Sequence, residues 1–199
     1  MRKQQMLKET ELRMLAAFFP EGKERTTREI EMRSGYSHER VYSTLNELEK
    51  RGVLTKRRVG KTLAYSVPGF SDQLYMAFAH YSLKRKENWA EKHPTAHRAI
   101  EELGRGAKPD LMVVFGSYAR GEAKGASDID VLCVGGIGAE KIALSLRHRY
   151  NLRINPVVVK KSDFGNIATE NPGFWEDLVN FGVVINGWEI FYRVAYAGE

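Results

Sequence analysis

Two aspartates separated by a single residue, Asp128 and Asp130, interrupt a segment that is otherwise apolar, and the pair Gly116-Ser117 closes the apolar run before it. Side chains alternate along a β-strand, so both carboxylates project from the same face if this segment is a strand. Two neighbouring carboxylates repel each other, and a divalent cation that also binds substrate phosphates is a common way to relieve the repulsion. A glycine and a serine between a strand and a helix offer backbone N–H groups and a hydroxyl to a phosphate. The spacing therefore predicts a site for a metal ion and phosphate groups.

The segments around these residues predict a small mixed α/β unit. "DLMVVFG" is typical of a buried strand that ends at Gly116, and "SDIDVLCV" of a second strand that begins at Ser127. A loop and short helix, "SYARGEAKGA", lie between them, and Arg120 and Lys124 in this segment add positive charge beside the expected phosphates. Downstream we expect a helix at "AEKIALSLRHRY", a strand at "LRINPVVV", two short helices, and strands at "VVI" and "EIFYRV".

The N-terminal part of the chain predicts three short helices. The apolar stripe of "ELRMLAAFFP" predicts a helix that ends before Pro20. Thr26 and Glu29 have the spacing of a capping box and so begin a second helix. A third helix is expected from Ser37 as its N-cap to Gly52 as its stop.

The third helix and the hairpin that follows it carry side chains suited to a DNA duplex. "VLTKRR" and "LAYSV" predict two strands joined by a turn. A polar helix face can reach base edges in a major groove, and a basic hairpin can contact phosphates. The expected DNA contacts are Arg40, Tyr42, Ser43, Asn46 and Lys50 on the helix and Lys56, Arg57, Arg58 and Lys61 on the hairpin. The alternative is that these charges are ordinary solvated surface and that the module binds a protein.

Composition favours two compact domains and an acidic partner. The chain has 199 residues, of which 43% are hydrophobic, and Lys and Arg outnumber Asp and Glu by 31 to 25, for a formal charge of +6. The lone cysteine, Cys133, lies in an apolar stretch and predicts a buried, inert thiol in a reducing compartment. The polar N-terminus and the short apolar runs predict a soluble, cytoplasmic protein without a membrane span.

A helical connector is expected between the two domains. Ser71 can cap a helix that continues until His93 and Pro94 interrupt it. Its aromatic residues predict either packing across the domain boundary or a dimer interface. The predicted boundaries are 1–68 for the N-terminal domain, 69–94 for the connector and 95–199 for the C-terminal domain, and the fold class is α+β with two domains.

Two segments of the sequence resemble known protein families, and each resemblance implies a function. Three helices followed by a hairpin over roughly residues 5–68 resemble the winged helix-turn-helix domain of prokaryotic transcriptional regulators, which implies double-stranded DNA as a partner. Gly-Ser, a spacer and "SDID" over roughly residues 95–192 resemble the minimal nucleotidyltransferases of the DNA polymerase beta superfamily, and the combination resembles archaeal fusions. This second resemblance implies that Asp128 and Asp130 bind Mg²⁺ and that a nucleoside monophosphate passes from a nucleoside triphosphate, which we expect to be ATP, to an acceptor hydroxyl. The implied nucleotide-binding residues are Gly116, Ser117, Arg120 and Ser127.

One departure from that family leaves two functions open. Active members carry a third carboxylate on the next strand, where this chain has Asn155, and an amide cannot accept a proton as a carboxylate does. The chain is then either an enzyme that acts on a protein, a nucleic acid end or a small molecule, or a regulator whose degenerate C-terminal domain only binds nucleotide or mediates assembly. A structural interaction protein is a third and weaker alternative. The two-fold symmetry of duplex sites is the ground for expecting a homodimer.

Overall fold

The computed structural model describes residues 6–69, 71–125 and 127–197, which divide into two compact units. One unit runs to Tyr81 and also includes Tyr196, and the other spans Ser82–Ala195. The division falls within a long helix, so we describe the two units separately. The predicted boundaries at 68 and 94 stay a prediction. No helix in the described ranges combines the length and the apolar character needed to cross a bilayer.

The first unit contains three short helices, the start of a longer fourth helix, and a three-stranded antiparallel sheet. The helices are α1 (Glu9–Ala16), α2 (Thr27–Ser34) and α3 (His38–Lys50), and the strands are β1 (Arg25–Thr26), β2 (Thr55–Val59) and β3 (Thr62–Ser66), in the order β1-β3-β2. The predicted capping box is present, because Thr26 Oγ1 accepts from the backbone N–H of Glu29 and the Glu29 side chain accepts from that of Thr26. The predicted helices and hairpin are confirmed in type and order.

A small apolar core and one buried ion pair hold the first unit together. Met14, Leu45 and Leu48 are fully buried, and the apolar stripes of α1 and α3 supply them. The Glu11 carboxylate, 2% exposed, binds the Arg51 guanidinium at 2.5 Å and the backbone N–H of Lys8 at 2.7 Å. Through these two contacts the Glu11 carboxylate links the start of α1 to the end of α3.

The second unit is a four-stranded sheet with helices. Its helices are α4 (Asp72–Lys92, shared with the first unit), α5 (Pro94–Ala107), α6 (Gly116–Arg120), α7 (Ala139–Tyr150), α8 (Lys161–Phe164), α9 (Ile167–Glu170), α10 (Pro172–Phe181) and α11 (Trp188–Tyr192), followed by a π-helical turn at Arg193–Ala197. Its strands are β4 (Leu111–Phe115), β5 (Ile129–Val134), β6 (Ile154–Val159) and β7 (Val183–Asn186), in the order β6-β5-β4-β7. β5 and β6 are parallel, and β4 is antiparallel to both of its neighbours.

The core of the second unit lies between the sheet and two helices. Ile100 and Leu103 of α5 and Leu146 of α7 pack with Val131 and Cys133 of β5. Burial raises the pKa of the Cys133 thiol to about 12, as expected for an inert cysteine. A rigid sheet thereby fixes the position of the residues that begin β5 and β6.

The strand predicted at "EIFYRV" is wrong, because this segment forms α11 and the π-helical turn. Aromatic residues favour strands in isolation. Trp188, Phe191 and Tyr192 have the spacing i, i+3, i+4 of one helix face, and Phe191 and Tyr192 are buried. Gly187, with φ 79°, ends β7 and starts this helix. The region before β7 also holds three short helices where two were predicted.

Candidate nucleotide site and DNA-binding surface

Asp128 and Asp130 lie at the start of β5. Ile129 and Val131 are fully buried, whereas the Asp128 side chain is 42% exposed and Asp130 is half-buried. The alternation of strand side chains explains this difference, since the buried pair and the acidic pair point to opposite faces. Both carboxylates therefore lie on the face that the apolar residues leave open.

Gly116 lies against the carboxylate of Asp130. It follows β4, whose last residue, Phe115, is opposite Asp130 in the sheet register. Gly116 has φ 67°, and a Cβ atom built there would be 2.6 Å from Asp130 Oδ2. Only glycine fits this left-handed backbone and this close approach without strain. Gly116, which the sequence predicts to bind phosphate, therefore also allows the backbone to turn beside the carboxylate of Asp130.

Strand β6 and the residue before it supply a polar partner to each aspartate. Asn155 is opposite Asp130 in the register, and its Nδ2 donates to Asp130 Oδ1 at 3.0 Å. Arg153, two residues earlier, places its Nε 3.6 Å from Asp128 Oδ1. The position expected to hold a third carboxylate therefore holds the amide of Asn155, which donates a hydrogen bond to the carboxylate of Asp130.

The donor atoms of this site fit a hard divalent cation. Two exposed or half-exposed carboxylates supply oxygen ligands, and Mg²⁺ is commonly held by one or two carboxylates together with substrate phosphates. Across the described ranges, no group of three or more His, Cys, Asp or Glu side chains forms a candidate metal site. Asp128 and Asp130 would hold the ion, and phosphate oxygens would complete its coordination.

Arg120 and Ser127 are held by partners within the chain. The Arg120 guanidinium binds Asp177 Oδ1, with Nε at 3.1 Å, and lies 5.5 Å from the ring centroid of Phe181. The hydrogen bond to Asp177 raises the pKa of Arg120. Ser127 Oγ accepts from the backbone N–H of Lys124 at 2.9 Å. Ser117 is half-buried beside Gly116 at the start of α6.

The structure brings Gly116, Ser117, Asp128 and Asp130 to the place where the central strand β4 ends and its neighbour β5 begins, whereas Arg120 binds Asp177 on α10. The roles of all these residues toward phosphate stay predictions. Asp177 was missed as a partner because 57 residues separate it from Arg120.

The predicted DNA-binding residues of α3 form a largely exposed polar face. Tyr42 is exposed, and its ring stacks on that of His38 at 6.3 Å. Ser43 Oγ donates to the backbone carbonyl of Arg40 at 3.1 Å, and Lys50 is exposed. Asn46 is half-buried, and its Oδ1 accepts from Lys56 Nζ of the hairpin at 3.0 Å. This last contact joins the helix face to the hairpin.

The hairpin cations differ in how they are paired. Arg57 Nε binds Glu24 Oε2 at 2.5 Å, and this hydrogen bond raises the pKa of Arg57 and lowers that of Glu24. Lys56 is 3.3 Å from Glu49. Within the part of the chain that the structure describes, Arg58 and Lys61 are exposed and make no ion pair. They are the hairpin cations most available to a phosphate.

Comparison with known proteins assigns a family to each part of the chain. The model of the nucleotidyltransferase domain family matches residues 97–179, and that of the sugar-specific transcriptional regulator TrmB matches residues 6–69. No curated protein matches. One solved structure, TrmBL2, an archaeal chromatin protein, is 19% identical over 86% of this chain and 72% of its own, with a TM-score of 0.30. The chain therefore carries a TrmB-type winged-helix domain followed by a nucleotidyltransferase domain.

Proposed function

We propose that this protein is a DNA-binding regulator whose C-terminal domain transfers a nucleoside monophosphate from a nucleoside triphosphate to an acceptor hydroxyl. The observation that carries the proposal is the close approach of Gly116 to Asp130, with Asp128 beside them, inside the region that the nucleotidyltransferase model matches. ATP is the nucleotide that we propose, and the cytoplasm is the compartment.

The proposed reaction assigns a task to each residue of the site. The acceptor oxygen forms a bond to the α-phosphorus, the bond from that phosphorus to the α–β bridging oxygen breaks, and pyrophosphate leaves. Asp128 and Asp130 hold Mg²⁺, which when bound neutralises charge that develops on the phosphates. Gly116 and Ser117 approach the triphosphate through backbone N–H groups and a hydroxyl. Asn155 orients Asp130, and the acceptor proton leaves to solvent because an amide cannot take it.

The transfer activity can be tested while the acceptor is still unidentified. The full chain is incubated with Mg²⁺, an extract of host cells and each of the four α-labelled nucleoside triphosphates in turn. We expect label in a discrete acceptor with one nucleotide preferred, and the nature of the labelled species identifies the acceptor class. Absence of label from every fraction with all four nucleotides contradicts the transferase proposal.

The DNA-binding part of the proposal rests on α3 and the hairpin acting as one surface. Lys56 links the two through Asn46, and Arg58 and Lys61 add charge that no carboxylate neutralises within the described ranges. Helix side chains would then reach base edges while hairpin cations contact phosphates. A duplex site with two related half-sites has two-fold symmetry and is matched by a dimer with the same symmetry. We therefore propose that the protein binds DNA as a homodimer.

Replacing Arg58 and Lys61 by Ala together is expected to weaken binding to all DNA sequences alike. Each lost phosphate contact lowers the slope of log K against log salt by about 0.9, so the slope falls by roughly 2. The measurement is fluorescence anisotropy on a labelled duplex over a range of salt concentrations. Lys84→Ala with Lys141→Ala removes the same charge outside the winged helix and serves as the control. An equal effect of the two pairs contradicts a specific role for the hairpin.

The second candidate function is that of a regulator whose C-terminal domain does not transfer nucleotide. It is favoured by the contacts of Asn155 on β6 and of Arg153 just before that strand, since these two residues provide each aspartate with a protein partner. In that case the variant Asp128→Asn/Asp130→Asn retains full binding to DNA, and the unchanged protein binds nucleotide without consuming it.

A further inference from the structure

A cleft opens beside Asp128 at the β6 edge of the sheet. One cavity of about 280 Å³ is lined by Ser127, Asp128, Arg147, Asn151 and Arg153, among others. A second cavity of about 370 Å³ shares Asp128, Arg147 and Arg153 with the first. We name the two cavities together the arginine cleft. Its walls come from the residues before β5, from α7, and from the residues before and at the start of β6, so the fold itself brings both arginines beside the candidate metal site.

The charge of the arginine cleft suits an anion. Two guanidinium groups, from Arg147 and Arg153, face the 280 Å³ cavity, whose one carboxylate is that of Asp128. Glu140 lines only the second cavity. Arg147 is exposed and makes no ion pair with any residue that the structure describes. If Asp128 binds a metal ion, both guanidinium groups are left without a carboxylate in the first cavity.

The contact of Arg153 with Asp128 is weak enough to exchange. The two atoms are 3.6 Å apart, and the Arg153 side chain is 61% exposed. Exposed ion pairs of this kind contribute little to stability. An arginine binds a phosphate through two parallel N–H bonds, which is a stronger arrangement than this single long contact. Arg153 is therefore free to turn from Asp128 to a ligand in the cleft.

The position of the cleft separates it from the expected triphosphate site. The strand order β6-β5-β4 places the aspartates of β5 between Gly116, which follows β4, and Arg153, which precedes β6. In the proposed function the triphosphate lies on the Gly116 side. The β6 side then remains for the second substrate, the one that brings the hydroxyl.

We propose that Arg147 and Arg153 bind a phosphate group carried by the acceptor. This inference rests on the proposed transfer activity, and it narrows the acceptor to a phosphorylated alcohol, either a small molecule or a nucleotide at the end of a nucleic acid. An unmodified serine, threonine or tyrosine side chain carries a hydroxyl but no phosphate group, so it does not meet this requirement.

The test measures binding and therefore does not depend on turnover. The full chain with Mg²⁺ and α,β-methylene ATP, which occupies the donor side without reacting, is titrated with ribose 5-phosphate and with ribose. A 5′-phosphorylated thymidine dinucleotide forms a second arm. The variants are Arg147→Gln and Arg153→Gln, and the control is Lys141→Gln, an exposed cation on the same helix as Arg147 that lines neither cavity.

We expect ribose 5-phosphate to bind at least about tenfold more tightly than ribose, because hydrogen bonds between charged groups are among the strong ones. Each arginine variant should lose about tenfold in that affinity, and Lys141→Gln should lose none. Mg²⁺ affinity, measured separately, should be unchanged or higher in Arg153→Gln, since a cation beside Asp128 is removed. Binding of the dinucleotide alone would still support the inference and would identify a nucleic acid end as the acceptor.

Two outcomes overturn the inference. One is that neither phosphorylated probe binds better than ribose, and the other is that the arginine variants behave like Lys141→Gln. These results are distinct from failure of the proposed function. Label transfer without any preference for phosphate contradicts only the acceptor inference. Phosphate binding in a protein that transfers no label contradicts the reaction, and the arginine cleft is then a phosphate-binding site without an acceptor role.

Discussion

Replacing Asp130 by Asn is expected to lower the rate of nucleotide transfer by roughly 10³-fold, the upper range for loss of one group that stabilises transition-state charge. The amide has nearly the shape of the carboxylate but lacks its charge, so affinity for Mg²⁺ falls while the fold remains. Asp130 also lies against Gly116 and accepts from Asn155, and therefore changing it affects both neighbours. The measurement is the initial rate of transfer of α-label at several Mg²⁺ concentrations.

Asp163→Asn is the matched control for this prediction. Asp163 is an exposed aspartate of the same unit, on α8, and its carboxylate accepts from the neighbouring Ser162 hydroxyl at 2.6 Å. Its replacement should leave transfer unchanged. Binding to duplex DNA should be unaffected in both variants, since neither residue lies in the winged-helix unit. Equal rates for Asp130→Asn and the unchanged protein would show that the carboxylate pair is not the centre of the reaction.

Replacing Gly116 by Ala is expected to lower transfer by about 10²-fold, the loss that follows when reacting groups are displaced by about 1 Å. The added methyl group would be 2.6 Å from Asp130 Oδ2, so the carboxylate has to move. The left-handed backbone at this position, φ 67°, costs a residue with a side chain a further 1–2 kcal/mol or so. Thermal unfolding and the transfer rate are measured on the same preparation.

Gly121→Ala separates the two effects of that substitution. Gly121 also has a left-handed backbone, with φ 76°, but within the described ranges no atom beyond its own chain neighbours lies within 4 Å of a Cβ built there. It should therefore show a similar loss of stability with little loss of transfer. If the two alanine variants lose transfer equally, backbone strain rather than displacement of Asp130 explains the effect.

Much of the candidate site follows from local sequence rules. Strand alternation predicts that Asp128 and Asp130 share a face, and the buried Ile129 between them agrees. The helix α7 between β5 and β6 makes those strands parallel neighbours, which places Asn155 beside Asp130. A capping box such as that of Thr26 is equally local. Such features depend on residues a few positions apart or on one strand–helix–strand connection.

The features that the sequence did not reveal are contacts between distant residues. Arg57 binds Glu24, which lies 33 residues away in the sequence, and Arg120 binds Asp177, which lies 57 residues away. The spacing of residues along the sequence does not predict either pair. A count of basic residues treats Arg57 and Arg58 alike, although only one of them is neutralised by a neighbouring carboxylate. The arginine cleft is similar, because Arg147 lies in the last turn of one helix and Arg153 precedes the next strand.

The most direct test of the central claim is to ask which phosphorus of the nucleotide reaches the acceptor. The full chain is incubated with Mg²⁺ and its preferred nucleoside triphosphate labelled either at the α- or at the γ-phosphate, and both the acceptor and the released phosphates are separated. A nucleotidyltransferase places the α-label on the acceptor and releases the γ-label in pyrophosphate. Transfer of the γ-label, or consumption of nucleotide with no label on any acceptor, contradicts the account.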